Sequence, residues 1–263
     1  MVVYKKMLNK HSGNGLTWYG FPLFDSHPEL RHGVFTRFGG VSGPDGGELS
    51  LSFSAGDPLE NVLTNIGRVT AALELPPPAY VRQTHSDRVA VVRPADDYHP
   101  RGPEGIYENY DAIVAPEPGV SLLIKVADCQ AVLLYDPSSR AVGLVHSGWR
   151  GSVQNIIGTA VAEMAALGIN PARMKAAISP SLGPCCAEFI NYRRELPEHF
   201  QEFMVNDTHF DFWAISRRQL TEAGLKEENI EVAGVCTKCS PEFFSYRGGD
   251  KWGRFGVMAG VRA

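Results

Sequence analysis

The sequence predicts an α/β fold in which amphipathic helices cover sheets of short apolar strands. Apolar residues recur at helical spacing in three long segments, as in helices that pack one face against a sheet. Several shorter segments are rich in Val, Ile or Leu and end at turn-forming residues, which is typical of strands. Some of these strands are apolar throughout, so we expect both faces of the sheets to be covered.

The three helical segments have recognisable ends. The first is predicted to begin at Asp57, whose side chain can cap free N–H groups, with Pro58 at the tolerated first position. Its apolar stripe continues to Leu73. The second helix is predicted over residues 152–167 and the third over residues 212–223, each ending before a glycine.

The predicted strands are short and lie mostly between the first two helices. They cover residues 79–82, 88–93, 111–114, 121–126, 131–135, 141–145 and 231–235.

Length and composition predict one domain. The chain of 263 residues is 44% hydrophobic and 21% charged, and a chain of this size buries about three quarters of its unfolded surface. It carries no internal repeat and no long linker. We therefore expect a single domain over residues 1–263, with residues 1–15 as a loose N-terminal tail.

The charge pattern argues against nucleic-acid and membrane partners. The net charge is −4, and Lys and Arg are scattered among Asp and Glu, so no basic face is expected. No segment approaches the roughly 18 apolar residues of a membrane span, and no apolar stretch of signal-peptide length follows the first lysines. Five cysteines in such a chain suit a reducing compartment. We expect a cytoplasmic protein, and the sequence leaves its oligomeric state open.

A hairpin is predicted around Asp136-Pro137-Ser138-Ser139, which has turn chemistry between two strands. If these four residues form the loop, Tyr135 pairs with Arg140 and Cys129 lies directly opposite His146. Opposed Cβ atoms lie about 4.5–5.5 Å apart. A thiolate and an imidazole at that separation can both reach one zinc ion, at about 2.3 Å and 2.0 Å. A loop one residue longer would weaken this geometry.

His85 is the natural third ligand, because it lies in the short break between two predicted strands. Three protein ligands leave the fourth coordination position of a zinc ion open, as in catalytic sites. The sequence therefore predicts a catalytic metal site at His85, Cys129 and His146, with zinc as the metal and copper as the alternative. Asp128, beside Cys129, is expected to make a structural hydrogen bond.

Two arginines are candidates for binding an anion. Arg150 follows His146 just before the second predicted helix, whose free N–H groups favour an anion such as phosphate. Arg37 begins a glycine-rich loop, residues 36–42, whose backbone could approach a ligand closely. The loop matches neither the dinucleotide-binding nor the P-loop pattern. The alternative for Arg37 is a solvated side chain on a tight turn.

Six sequence blocks, in this order, resemble those of a known family. They are Thr36-Arg37-Phe38-Gly39-Gly40-Val41-Ser42, Arg82-Gln83-Thr84-His85, Ala127-Asp128-Cys129, His146-Ser147-Gly148-Trp149-Arg150-Gly151, Gly183-Pro184-Cys185-Cys186 and Phe244-Ser245-Tyr246-Arg247. Together they resemble the polyphenol oxidase/laccase-domain family, also called the peptidoglycan editing factor family, whose members are described as purine nucleoside phosphorylases. Departures from the family pattern fall at Val126, Ser147 and Gly248.

The resemblance implies a fold, a site and a reaction. The implied fold is a single-domain layered α-β-β-α sandwich with mixed sheets, and the implied metal ligands are again His85, Cys129 and His146. The implied reaction is phosphorolysis of adenosine, inosine, guanosine and methylthioadenosine, with adenosine deamination as a second activity. Its partners are a purine nucleoside and phosphate, and we expect the phosphate near Arg37 and Arg150.

Rival hypotheses remain open from the sequence. Cys129 and His146 could form a metal-independent thiol hydrolase acting in peptidoglycan precursor editing. A structural zinc module could be built on Cys236 and Cys239, but Cys185 and Cys186 are a poor second half, since neighbours on a strand point apart. A copper oxidase is disfavoured, because one site of two histidines and a cysteine cannot supply several coppers.

Overall fold

The computed structural model describes residues 8–43, 46–53, 56–96 and 107–262. Its strands are β1 (Asn9–Gly13), β2 (Leu16–Gly20), β3 (Leu30–Phe35), β4 (Phe38–Ser42), β5 (Ala79–Arg82), β6 (Val89–Val91), β7 (Tyr107–Glu108), β8 (Ala112–Ala115), β9 (Ser121–Val126), β10 (Gln130–Asp136), β11 (Ala141–Ser147), β12 (Lys175–Ile178), β13 (Ile230–Val232) and β14 (Phe255–Val261). Its α-helices are α1 (Leu59–Leu73), α2 (Trp149–Val153), α3 (Ile156–Ala166), α4 (Tyr192–Glu195) and α5 (Phe212–Glu222). Short 3₁₀ helices cover Pro22–Phe24, Pro171–Arg173, Glu198–Phe203 and Glu227–Asn229.

The strands form two mixed sheets. The first sheet has the order β1-β2-β3-β14-β9-β5-β7, and the second has the order β13-β12-β10-β11-β8-β6. In the first sheet β5 runs parallel to β9 and β7, whereas β14 is antiparallel to β3 and β9. In the second sheet the pairs β12–β13 and β6–β8 are parallel and the central hairpin β10–β11 is antiparallel.

The layers follow from which faces are apolar. Side chains from both sheets fill the space between them, among them Leu122 and Leu133. Helix α1 covers the outer face of the first sheet, where Ile66 packs in one cluster with Tyr80. Helices α3 and α5 cover the outer face of the second sheet. The predicted α-β-β-α sandwich is therefore confirmed. Among the described helices, none combines the length and hydropathy that a bilayer crossing requires.

The predicted first helix is present, but its start is corrected. Its apolar stripe is buried and packs on the first sheet. Pro58, not Asp57, is the N-cap residue, and no side chain caps the helix. Asp57 instead accepts hydrogen bonds from Ser42 Oγ and from Asn61 Nδ2. A tertiary partner in β4 therefore replaces the local cap that the sequence predicts.

The predicted second helix is divided into α2 and α3. The break is at Asn155, which adopts a left-handed conformation with φ of 56°. Asparagine tolerates this conformation better than most residues, and its side chain accepts a hydrogen bond from the Gly158 N–H at 3.1 Å. Asn155 thus caps α3 instead of continuing α2.

Two predicted irregular segments are strands. Residues 9–13 of the predicted N-terminal tail form β1, paired with β2, whereas residues 1–7 lie outside the described residues. Most of the predicted glycine-rich loop at 36–42 is the strand β4. A Cβ at Gly40 would lie 2.1 Å from the Glu48 carbonyl oxygen, so a close backbone approach, not a ligand, requires this glycine.

The register of the central hairpin is shifted from the prediction. Asp136 pairs with Ala141, the loop is residues 137–140, and His146 pairs with Ala131 instead of Cys129. The loop has the predicted length but begins one residue later, because Asp136 ends β10 and its carboxylate accepts hydrogen bonds from Ser139. The predicted direct opposition of Cys129 and His146 is therefore wrong.

Candidate metal centre

The structure nevertheless brings His85, Cys129 and His146 together. One nitrogen or sulfur atom from each lies within 4.8 Å of the others. Cys129 Sγ is 3.9 Å from His85 Nε2, and the two imidazole ring centroids are 4.9 Å apart. His85 comes from the turn after β5, Cys129 from the residue before β10, and His146 from the end of β11. The cluster therefore joins both sheets.

Asp128 turns the chain so that Cys129 faces the cluster. Its φ of 85° is unusual for a residue with a side chain. The Asp128 carboxylate holds this conformation by accepting hydrogen bonds from Thr237 Oγ1 at 2.6 Å, Ser245 Oγ at 2.7 Å and the Arg247 N–H at 2.6 Å. The structural hydrogen bond predicted for Asp128 is confirmed.

Asp111, which the sequence does not single out, organises the two histidines. This buried carboxylate accepts hydrogen bonds from the backbone N–H groups of Thr84, His85 and Ser86, at 3.1, 3.0 and 2.5 Å. These bonds hold the turn in which His85 has φ of 62°. No local pattern indicates this role, because the partners Ser86 and His146 lie 25 and 35 residues away in the sequence.

Asp111 also orients His146. Its Oδ1 lies 2.7 Å from His146 Nδ1, which leaves His146 Nε2 for a ligand. Metal-binding histidines are commonly held in this way by an outer carboxylate. Burial works to raise the pKa of the Asp111 carboxyl, but the hydrogen bond and charge of His146 and the bonds from Ser86 lower this pKa to about 2. Asp111 is therefore an anion at any physiological pH.

The electrostatics of the cluster favour a thiolate. Burial opposes ionisation of Cys129, yet His146 and His85 lower the pKa of its thiol to about 6. Burial likewise opposes the charged form of His146, but the Cys129 thiolate and Asp111 raise the pKa of its imidazole to about 9. The protonated His146 imidazole thus stabilises the Cys129 thiolate in the absence of a metal ion. A metal ion bound to His146 would replace one proton of this imidazole and supply the positive charge instead.

The three side chains fit a zinc ion. Zinc lies about 2.3 Å from sulfur and 2.0 Å from nitrogen, which puts ligand atoms roughly 3.5 Å apart in tetrahedral geometry. The Sγ–Nε2 distance of 3.9 Å between Cys129 and His85 is close to that value. Three ligands of this type would leave one position of the ion open to the cavity.

Gly148 is required by the closeness of the backbone to two of these side chains. A Cβ at this position would lie 2.9 Å from both Cys129 Sγ and His85 Cδ2. We expect Gly148→Ala to lower metal affinity by about 10-fold or more. Mutation of residues that only contact the metal ligands typically lowers metal affinity by about 10–100-fold. Metal titration of the purified variant measures this. Gly67→Ala, whose Cβ would meet open space in α1, is the matched control and should bind metal as the wild type does.

A cavity of about 980 Å³ opens on the cluster. It is lined by all three predicted metal ligands and by aromatic and cationic side chains. Arg150 lines it with its guanidinium 4.4 Å from the Trp149 ring centroid. Lys125, which the sequence does not single out, also lines the cavity, with its ammonium 4.5 Å from the Tyr80 ring centroid. Burial lowers the pKa of Lys125 to about 8.

Arg37 lies elsewhere. Its guanidinium donates to Glu48 Oε1 and to both carboxylate oxygens of Asp250, and it stacks 4.5 Å from the Phe244 ring centroid. Arg37 is not among the described residues that line the cavity. The expected phosphate contact is therefore corrected, because two carboxylates already use this cation. The Arg37 side chain therefore links the segment before β4 to the segment that contains Asp250.

The helix after His146 is also shorter than expected. Helix α2 has five residues, Trp149–Val153. Few aligned peptide dipoles contribute over so short a helix, so its N-terminus attracts an anion weakly. The cationic side chains that line the cavity attract an anion more strongly.

Similar proteins share this fold and this sequence pattern. Residues 31–262 match the family described as multi-copper polyphenol oxidoreductase laccase. A purine nucleoside phosphorylase of Deinococcus radiodurans is 34% identical over 243 residues, covering 88% of this chain and 89% of that protein. An adenosine deaminase, RL5, from an unknown prokaryotic organism is 33% identical over 195 residues, covering 68% of this chain and 70% of that protein.

A solved structure shows the same architecture. YlmD from Geobacillus stearothermophilus superposes with a TM-score of 0.84 at 27% identity, over 98% of this chain and 100% of that one. The family match extends over most of the sequence and includes all three clustered side chains. The chain therefore belongs to the multi-copper polyphenol oxidoreductase laccase family, as its ordered sequence blocks predict.

Proposed function

We propose that this protein is a zinc-dependent purine nucleoside phosphorylase. It cleaves adenosine, inosine, guanosine and methylthioadenosine with phosphate, and it deaminates adenosine as a second activity. The observation that carries the proposal is the cluster of His85, Cys129 and His146 in a cavity of about 980 Å³ lined by aromatic and cationic side chains. The names of the relatives in Deinococcus radiodurans and of RL5 support both reactions.

The cavity suits a purine nucleoside. Aromatic rings of Phe53, Trp149, Phe189, Phe212 and Tyr246 line it, and stacking of a base on such rings contributes about 1–3 kcal/mol per base. A volume of this size also holds a nucleoside and an anion together. The rings bind and orient the base, and they exclude water from the reacting bond.

The cations of the cavity suit phosphate. Arg150 and Lys125 both line the cavity, and neither forms an ion pair with a described carboxylate; their cationic groups lie over the rings of Trp149 and Tyr80. Lys125, whose pKa burial lowers to about 8, can hold or release a proton near neutral pH. When bound, a zinc ion would supply Lewis-acid stabilisation of developing negative charge. His85, Cys129 and His146 would hold that ion, and Asp111 would keep His146 oriented.

The test is phosphate-dependent release of free base. Purified protein is incubated with adenosine, inosine, guanosine and methylthioadenosine, with and without phosphate, and the free base and ribose 1-phosphate are quantified. We expect base release only with phosphate, loss of activity after chelation and recovery with Zn²⁺. Recovery with Cu²⁺ alone would identify copper as the metal. Absence of phosphate-dependent base release from all four nucleosides would overturn the proposal.

Arg150→Ala should weaken phosphate binding. A hydrogen bond to a charged group contributes about 1.5–3 kcal/mol, so we expect the KM for phosphate to rise by about 10–100-fold with a smaller change in the KM for nucleoside. Arg37→Ala is the contrasting variant, since Arg37 pairs with Glu48 and Asp250 outside the cavity. It should lower the melting temperature and leave the KM for phosphate unchanged. A raised KM for phosphate in Arg37→Ala, with an unchanged value in Arg150→Ala, would contradict the assignment of Arg150 to phosphate binding.

A second candidate function has one specific observation in its favour. The pKa of about 6 for the Cys129 thiol and about 9 for His146 describe a thiolate–imidazolium pair in the metal-free chain. Such a pair is typical of thiol hydrolases, and the alternative is that this chain is a hydrolase of peptidoglycan precursors. Activity that survives chelation but is lost on alkylation of Cys129 would favour this hydrolase.

A further inference from the structure

The remaining cysteines of the chain lie together. The sequence contains five cysteines, and the sulfurs of Cys185, Cys186, Cys236 and Cys239 lie within 4.8 Å of one another. Cys239 Sγ is 3.8 Å from Cys185 Sγ and 3.5 Å from Cys186 Sγ. These four side chains are separate from the cluster that contains Cys129.

The adjacent pair Cys185 and Cys186 lies on a turn. The N–H groups of Cys186 and Ala187 both donate to the Gly183 carbonyl oxygen, at 2.9 and 3.0 Å. Side chains on such a turn do not alternate as they do on a strand. The expectation that these two sulfurs point apart is therefore wrong, because both of them lie within 4 Å of Cys239 Sγ.

The second pair lies on another tight turn. The Ser240 N–H donates to the Cys236 carbonyl oxygen at 3.1 Å, which folds Cys239 back over Cys236.

The two turns are held side by side by backbone contacts. Ser181 and Cys236 form a parallel bridge, and the Thr237 N–H donates to the Ser181 carbonyl oxygen at 3.0 Å. A Cβ at Gly183 would lie 3.0 Å from Cys236 Cβ, so glycine allows this close approach. The geometry is therefore built by the fold and does not depend on flexible side chains meeting by chance.

The distances separate a metal site from a disulfide. A disulfide bond is about 2.05 Å long. Four thiolates around a zinc ion at about 2.3 Å lie roughly 3.8 Å from one another in tetrahedral geometry. The separations of 3.5 and 3.8 Å at Cys239 match the second case. Four sulfur ligands fill the tetrahedron, as in structural zinc sites.

We propose that Cys185, Cys186, Cys236 and Cys239 bind a second, structural zinc ion. The ion would join one segment that lines the cavity to a second segment that contacts Asp128. Leu182 and Ala187, which flank the first turn, line the cavity, and Thr237 of the second turn donates to Asp128, the residue before Cys129. This zinc ion therefore positions the substrate cavity without contacting substrate.

The test uses the full chain with Cys129 replaced. In Cys129→Ala the four cluster residues are the remaining cysteines of the sequence. Any thiolate-to-metal charge-transfer absorption of this variant therefore comes from these four residues. The variant is purified without oxygen, stripped of metal and titrated with Co²⁺, then with Zn²⁺ as competitor. We expect one Co²⁺ per chain with the charge-transfer and visible bands of a tetrahedral tetrathiolate site, and displacement by Zn²⁺.

Matched variants locate the ligands. In the Cys129→Ala variant, a further Cys239→Ser substitution should lower Zn²⁺ affinity by about 100-fold or more. Loss of a residue that only hydrogen-bonds a metal ligand already costs about 10–100-fold. Adding Lys238→Ser, an exposed residue in the same turn, should leave the affinity unchanged. His85→Ala with Cys129 intact should retain the tetrathiolate spectrum, which separates this site from the His85 cluster and covers failure of Cys129→Ala to fold.

Two outcomes would overturn the proposal. One is absence of thiolate-to-cobalt absorption in both Cys129→Ala and His85→Ala. The other is mass spectrometry of the alkylated protein, purified without oxygen, that finds Cys186 or Cys185 in a disulfide with Cys239. Neither outcome bears on phosphorolysis at the His85 cluster, and failure of phosphorolysis would not affect the cobalt spectrum.

Discussion

Cys129→Ala is expected to lower kcat/KM for nucleoside phosphorolysis by about 1,000-fold or more. Cys129 supplies the sulfur and the negative charge of the cluster, and its thiolate is stabilised by His146 and His85. Its loss would leave two imidazoles to hold a metal ion. A bound metal contributes several kcal/mol of charge stabilisation, and about 4 kcal/mol corresponds to three orders of magnitude in rate.

The measurement is steady-state phosphorolysis together with metal content. Wild-type protein should lose activity on chelation and recover it with Zn²⁺, whereas Cys129→Ala should respond to neither treatment. Far-ultraviolet circular dichroism of the variant should match that of the wild type. Wild-type turnover by Cys129→Ala would exclude the thiolate from the mechanism. Activity lost in Cys129→Ala but retained by chelated wild type would instead favour a cysteine nucleophile.

Asp111→Ala is expected to have the second largest effect, on both stability and metal affinity. The carboxylate is buried and accepts hydrogen bonds from His146, Ser86 Oγ and three backbone N–H groups. Breaking a buried charge pair costs about 3–5 kcal/mol, and loss of an outer partner of a ligand costs 10–100-fold in metal affinity. Chemical denaturation and zinc titration measure the two effects.

Asp136→Ala is the matched control for Asp111→Ala. Asp136 is also a buried carboxylate, but it bonds Ser139 in the hairpin loop. Its replacement should lower the free energy of unfolding and leave zinc affinity unchanged. Zinc affinity that is unchanged in Asp111→Ala would contradict a role for this carboxylate in orienting His146.

The contribution of Asp111 should also depend on pH in a defined direction. Its pKa is about 2 in the folded protein, below the value of about 3.9 for an unfolded chain. A lowered folded-state pKa stabilises the protein above the unfolded value, and this stabilisation is lost as pH falls toward the folded value. The difference in unfolding free energy between the wild type and Asp111→Asn should therefore narrow between pH 5 and pH 2.

The helices and central strands could be predicted because their signals are local. The stripe of Val62, Ile66 and Val69 has helical spacing, and residues 121–126 and 79–82 are apolar strands with the predicted bounds. Strand β14 was missed because Gly256 and Gly260 lower its strand propensity. Those glycines are required by neighbours distant in sequence, since a Cβ at Gly256 would lie 2.3 Å from Leu51 Cδ1.

The candidate site divides in the same way. The sequence indicates His85, Cys129 and His146, which lie together in the structure. The predicted hairpin register was wrong, however, because the loop begins one residue later and His146 pairs with Ala131 instead of Cys129. The sequence could not indicate Asp111, because the role of this carboxylate arises from contacts with residues 84–86 and 146. The sequence predicts phosphate near Arg37 because it does not show that Glu48 and Asp250 pair with this side chain, and only folding brings these two carboxylates to it.

The sequence by itself determined the fold class, the family and the residue types able to hold a metal. These properties depend on periodicity and on short blocks whose residues are neighbours in the chain. Only the tertiary structure decided the hairpin register, the partners of each charge and the meeting of Cys185 and Cys186 with Cys236 and Cys239. The physical reason is that hydrogen bonds and packing between distant segments determine where a side chain points, and no local pattern records those contacts.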